Sequence, residues 1–298
     1  MTARKVSVFA PALFAAVIGL AFPSSAAGAL TFRLTWDPSI VRPGAIVPMM
    51  IQSPVSLAGV EAAASGERFP LIRTSAGKYI ALVGVDLGMD DPVYRVEFSL
   101  HMKGRTTLYR MEGDLKVQSV EFDSQTLSFP TGMVDLTGGI LKRVRRDSGR
   151  LRSALARRTG ERYWKKPFVM PANGRISTRF GVRRILNGKP RSPHSGIDIA
   201  APVGTPIAAA NRGEVVLAAP LLLSGNTVVV DHGWGLLTVY AHMNSISVRE
   251  HQLVDRGDTL GRVGATGRAT GPHLHFGAFL RGAKVDPEQL LDLHFPLL

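Results

Sequence analysis

Three short motifs in the C-terminal half of the chain carry residues able to do chemistry: His194-Ser195-Gly196-Ile197-Asp198, Tyr240-Ala241-His242 and His273-Leu274-His275. In a β-strand, residues two apart point to the same face. His273 and His275 are therefore expected on one face, with Leu274 on the other. His194 and Asp198 are four apart, again an even spacing. The alternation of Ile197 and Ile199 around Asp198 reads as a strand, and Pro193 and Gly196 argue against a helix. Two imidazoles with a carboxylate suit zinc better than calcium or magnesium, which take all-oxygen shells. Three protein ligands would leave a fourth position for water, the arrangement of a catalytic rather than a structural zinc. Such a metal brings the pKa of bound water to about 7 and allows attack on a carbonyl without a covalent intermediate. Each motif alone is compatible with ordinary strand residues. Together in one stretch of chain, with no Ser/His/Asp alternative in view, they point to a metal site.

These residues need a rigid β-scaffold, and the sequence supplies one. After Phe168, glycines at 204, 213, 225, 233, 257, 264 and 271 punctuate short β-type runs, clearest at residues 228–230, 236–240 and 273–279. This predicts an all-β domain over 170–298. Upstream, residues 30–118 also read as a small all-β domain of sandwich type. Apolar runs at 45–51, 79–85 and 93–100 follow turn signals at Pro43-Gly44, Ser75-Ala76-Gly77 and Asp90-Asp91-Pro92. Between them, 119–169 is a connector in which Leu141, Val144, Ser148, Leu151 and Leu155 recur at intervals of three and four, one narrow apolar stripe on a helix.

The composition excludes several classes. There is no Cys among the 298 residues, so thiolate zinc sites, cysteine nucleophiles and iron–sulfur clusters are ruled out. The formal charge of +13 is concentrated: residues 142–166 hold eleven Lys/Arg against Asp147 and Glu161. That segment reads as a solvated basic helix face or as a patch for an anionic wall or membrane surface. Arg4 and Lys5, an apolar run over 6–22 and the small residues Ala27-Gly28-Ala29 read as an export signal over 1–29. The alternative is an uncleaved N-terminal tether. Export, to the periplasm or cell wall, argues against a nucleic-acid partner. His101, His232, His251 and His294 lack metal-spaced partners and are expected to be structural or surface residues.

The quoted motifs resemble the lysostaphin/LytM-type zinc endopeptidases, the murein endopeptidases. The likeness runs through His194-Ser195-Gly196-Ile197-Asp198-Ile199-Ala200, Gly225-Asn226-Thr227 to Asp231-His232-Gly233, Tyr240-Ala241-His242, Gly261-Arg262-Val263-Gly264, Thr266-Gly267 and Gly271-Pro272-His273-Leu274-His275-Phe276. It covers about residues 170–287. The resemblance implies a β-sheet groove with one zinc on its floor, held by His194, Asp198 and His275. It implies His273 as general base and His242 as the residue that orients or stabilises the oxyanion. It implies hydrolysis of peptide cross-links in peptidoglycan. Some members of that family have lost ligands and act as non-catalytic regulators of other wall hydrolases; here all five positions are filled. The expected fold class is mainly β: an N-terminal β-sandwich-like domain, a short basic helical connector and a C-terminal LytM-type β-sheet groove domain.

Overall fold

The structure is a computed structural model that describes residues 16–22, 30–74, 77–104 and 108–293. The Ala27-Gly28-Ala29 segment, Ser75-Ala76 and His294 lie outside the described residues. The chain is mainly β, as expected, and divides into two compact units that meet in sequence at Val120 and Glu121.

In the first unit, two five-stranded sheets bury their inner faces in one core. One sheet runs in the order Ala16–Phe22, Leu30–Trp36, Ile46–Gln52, Lys78–Gly84, Leu71–Arg73, and the other Ile40–Val41, Leu108–Val117, Val93–Met102, Leu57–Ala64, Glu67–Phe69. The Val93–Met102 strand shows why: Tyr94, Val96, Phe98 and Leu100 are buried while Arg95 and Glu97 between them are exposed, the period of two that a half-buried strand requires. Leu34, Met49 and Ile51 from the first sheet and Phe98, Leu100 and Leu115 from the second belong to the shared core, which makes this a β-sandwich.

The second unit is built on a ten-stranded sheet. Its main path is Arg175–Thr178, Gly196–Ala200, His273–Leu280, Leu236–Ile246, Gly225–Asp231, Gly213–Leu221, Leu253–Val254. A separate three-stranded sheet joins Ser124–Leu127, Arg183–Leu186 and Lys189–Arg191. The helix Gly138–Leu155 packs on this unit: Ala154 is buried, and Leu151 and Leu155 lie against a cluster that includes Leu217, Leu221 and Val229. Asp147 is also buried on the helix. Its Oδ2 accepts the Leu222 backbone N–H at 2.9 Å, and Arg143 and Arg146 pair with it at 3.7 and 3.4 Å. Among the described residues, no helix is long and apolar enough to cross a membrane.

His232 is fully buried under the large sheet. Its Nδ1–H donates to the Arg212 carbonyl, and Nε2 lies 2.8 Å from the Thr238 hydroxyl, itself 3.0 Å from that of Tyr240. Burial pushes the imidazole down to about 4 from 6.5, against the opposing pull of the Arg212 carbonyl. The native state thus refuses a proton that the unfolded chain accepts below about pH 6.5. The stability tied to neutral His232 is fully present above that pH and is lost as pH falls toward 4. Urea unfolding of the second unit at pH 7.5 and 4.5 should show the wild type losing up to about 3 kcal/mol more than His232→Gln. Equal losses would remove His232 from the acid response.

Candidate metal centre

The site is assembled by neighbouring strands of the large sheet. Gly196–Ala200 pairs antiparallel with His273–Leu280 so that Asp198 stands opposite His275 and Ala200 opposite His273. Directly opposed residues share a face, so Asp198, His273 and His275 project together while Ile197, Ile199, Leu274 and Phe276 are buried in the core. Gly196 is required by this packing. A Cβ there would stand 2.4 Å from the Phe276 carbonyl oxygen and 2.8 Å from Cε1 of His275. His194 precedes its strand and is fixed by its backbone: its N–H donates to the Val182 carbonyl, and its carbonyl accepts the Gly181 N–H.

His242 reaches the site by a different route. Along Leu236–Ile246, strict alternation would send it the way of Tyr240, which is buried against Phe276 with ring centroids 5.4 Å apart. The register with Gly225–Asp231 shifts between Asn226 and Val228: Val228 faces Tyr240 but Asn226 faces Met243. Two residues, Ala241 and His242, thus oppose Thr227 alone. This is a β-bulge, and His242 sits in it at φ 62°, a conformation uncommon for a residue with a side chain. The extra residue turns His242 to the site face, where its ring lies 4.8 Å from that of His273 and 6.2 Å from that of His275.

Three potential ligand atoms converge. His194 Nε2, His275 Nδ1 and Asp198 Oδ1 lie 2.9 Å from one another. His194 and Asp198 are buried, and the three form the one His/Asp cluster with metal-ligand spacing found among the described residues. His194 Nδ1–H donates to the Arg179 carbonyl at 2.9 Å, so in the neutral ring Nε2 presents a lone pair to the carboxylate oxygen. Burial pushes His194 down to about 4, against the pull of Asp198 and assisted by repulsion from His275. Burial acts to raise Asp198, but the imidazoles of His194 and His275 beside it prevail and hold it far below the usual carboxylate range. Two imidazole nitrogens and a carboxylate oxygen converging at 2.9 Å are a donor set that a bound cation would satisfy, so the residues present fit a metal. Arg184 donates to the other oxygen, Oδ2, at 2.6 Å and fixes the carboxylate's orientation.

The two other histidines have defined tautomers. His273 Nδ1–H donates to the Gly271 carbonyl and His242 Nδ1–H to the Thr266 carbonyl. Each neutral ring therefore carries its lone pair on Nε2, and His273 Nε2 lies 3.8 Å from Asp198 Oδ1. Burial, then repulsion from His275 and His273, pushes His242 down to about 3. All five residues singled out in the sequence thus meet at one place. His251 is exposed and pairs with Glu214, and His101 is exposed on a strand of the first unit; neither belongs to the cluster. Arg184 was not singled out by the sequence, where it is one basic residue in Val182-Arg183-Arg184-Ile185.

Residues 192–287 match the model of Peptidase family M23. A solved Pseudomonas aeruginosa chain described as a peptidase M23 matches with a TM-score of 0.64 and 30% identity, over 84% of this chain and 94% of that one. The chain belongs to peptidase family M23. Curated relatives match part of the chain as well. The peptidoglycan DD-endopeptidase ShyA of Vibrio cholerae is 42% identical over 120 residues, 40% of this chain and 28% of ShyA. The DD-carboxypeptidase/endopeptidase Mpg of Neisseria meningitidis is 42% identical over 113 residues, 38% of this chain and 26% of Mpg. The chain spans about a quarter to a third of the length of such relatives.

Proposed function

We propose that this M23 protein is a zinc-dependent endopeptidase that hydrolyses peptide cross-links of bacterial peptidoglycan. One observation carries the reading: His194, Asp198 and His275 converge on one face, beside the rings of His242 and His273. The names of the relatives ShyA and Mpg support the choice of substrate. His194, Asp198 and His275 would hold one zinc ion per chain. When bound, zinc supplies an electrophile for the scissile carbonyl and lowers the pKa of water to about 7.

The remaining chemistry belongs to this chain's own side chains. His273, its Nδ1–H tied to Gly271, accepts the proton of the attacking water at Nε2 and returns it to the leaving amine. His242 holds its Nδ1–H on Thr266, and burial keeps the ring neutral. Its Nε2 therefore accepts a hydrogen bond and orients the water or a substrate N–H. Donation to the oxyanion, which is what the resemblance implied for His242, requires the imidazolium, which burial opposes. Arg184 holds Asp198 in place. The non-catalytic regulator reading is disfavoured, because none of the five positions is vacated.

Export to the periplasm or cell wall is part of the proposal. Cleavage after Ala29 would remove the Ala16–Phe22 strand and leave Leu30–Trp36 at the edge of its sheet. Exposed arginines along the Gly138–Leu155 helix, among them Arg143 and Arg146, would favour contact with an anionic wall or membrane surface. The catalytic reading is tested on a soluble cross-linked muropeptide dimer. Release of monomers that stops with a chelator and returns with zinc is the expected result. An intact dimer under zinc-replete conditions would refute it.

A further inference from the structure

A cavity of about 390 Å³ opens beside the metal cluster, and Asp198, His242 and His273 form part of its wall. Arg184, Arg191 and Arg268 line the same cavity. Arg184 and Arg191 are direct cross-strand partners in the Arg183–Leu186/Lys189–Arg191 hairpin, so their side chains stand on one face. Like charges placed directly opposite destabilise such a pair unless something between them offsets the repulsion. Arg268 approaches from the loop that leads to His273, and it is opposed by its own burial and then by Arg184 and Arg191.

Little on the protein answers this charge. Asp198 is the single carboxylate in the cavity wall among the described residues. Its Oδ1 faces the two imidazoles, and its Oδ2 takes one N–H of Arg184. Arg191 and Arg268 donate to neutral carbonyls, those of Val134 and Met133. The buried Nε–H of Arg184 has no hydrogen-bond partner. Three guanidinium groups around one cavity next to a hydrolytic centre are poised for a carboxylate, which takes N–H donors from a guanidinium fork in pairs.

We propose that Arg184, Arg191 and Arg268 form a subsite that holds a free carboxylate of the substrate peptide close to the scissile bond. The inference rests on the peptidase reading above and deepens it: the preferred substrate carries an anionic group beside the bond that is cut. That carboxylate comes from a chain terminus or from a side chain, and the two sources are separable by amidating each in turn.

The test compares synthetic cross-linked peptides with both carboxylates free, with the terminal one amidated, and with the side-chain one amidated. They are given to the zinc-loaded full chain and to its Arg191→Gln/Arg268→Gln variant. Arg184 is left intact because it holds Asp198. For the wild type, amidating the recognised carboxylate should lower kcat/KM roughly ten- to hundredfold, the scale of a charge-assisted hydrogen bond. The double variant should lose that discrimination by slowing the free peptide alone, and Arg191→Lys/Arg268→Lys should restore part of it. Equal rates of the wild type on all three peptides would overturn the subsite, as would a glutamine variant that slows every peptide in proportion. If the glutamine variant does not fold, as judged by circular dichroism, the wild-type discrimination and the lysine variant decide the matter. If the wild type cleaves none of them, the peptidase reading fails, and calorimetric binding of the same peptides decides the subsite separately. Tighter binding of the free peptide by the wild type alone supports it, and equal binding to all overturns it.

Discussion

Asp198→Ala should yield a folded chain that retains almost no zinc and hydrolyses no cross-link. The carboxylate supplies the oxygen that meets both imidazole nitrogens at 2.9 Å. Its removal leaves His194 and His275 as the two remaining ligands and strips Arg184 of its anionic partner. Losing a residue that merely holds a ligand costs roughly 10–100-fold in metal affinity, and losing a ligand should exceed that. His194→Ala and His275→Ala should lower metal content in the same way. Metal analysis after dialysis against a fixed free-zinc buffer measures it. Full zinc occupancy in all three variants would refute the assignment of these ligands.

His273→Ala should separate metal binding from catalysis. The ring is placed by its strand opposite Ala200, two pairs along from the Asp198–His275 pair, with Nε2 3.8 Å from the Asp198 oxygen rather than in the 2.9 Å cluster. Zinc content should therefore match the wild type while kcat falls by about 10²–10⁴, the range for loss of a positioned general base. The pH profile should lose the limb set by that base, which a purely structural role would not change. If His273→Ala loses zinc and His275→Ala keeps it, the two histidines exchange roles.

Some of this arrangement was legible in the sequence, because strand parity is a strong rule. His-x-His in a β-run places two imidazoles on one face, and the pairing of Gly196–Ala200 with His273–Leu280 brings Asp198 onto that face. Parity says the opposite about His242. It would follow Tyr240 into the core, and the bulge at Ala241 and His242 reverses that. A single extra residue leaves no compositional mark, and no glycine stands at φ 62° to signal the turn. His194 reaches the cluster from before its strand, through backbone hydrogen bonds to Gly181 and Val182, so the even spacing to Asp198 does not by itself explain the contact. The apolar stripe of the connector told which face of the helix packs, with Leu151 and Leu155 against Leu217, Leu221 and Val229 of the large sheet. It did not disclose the buried Asp147, whose anchor is a backbone N–H 75 residues away. Arg184 and its companions were invisible for the same reason: only the folded hairpin and the loop before His273 bring them to one cavity.

The central claim is metal-dependent cleavage of peptide cross-links, and fragment analysis of purified peptidoglycan tests it most directly. Insoluble sacculi are incubated with the zinc-loaded chain, with the chelated chain and with Asp198→Ala, and the products are resolved by mass spectrometry after the glycan strands are cut. The account predicts that the zinc-loaded chain alone converts cross-linked dimers to monomers, each severed cross-link taking up the atoms of one water between its two fragments, and that the chain itself cuts no glycosidic or sugar–peptide bond. Unchanged dimers with the zinc-loaded chain, or equal conversion by Asp198→Ala, would contradict it.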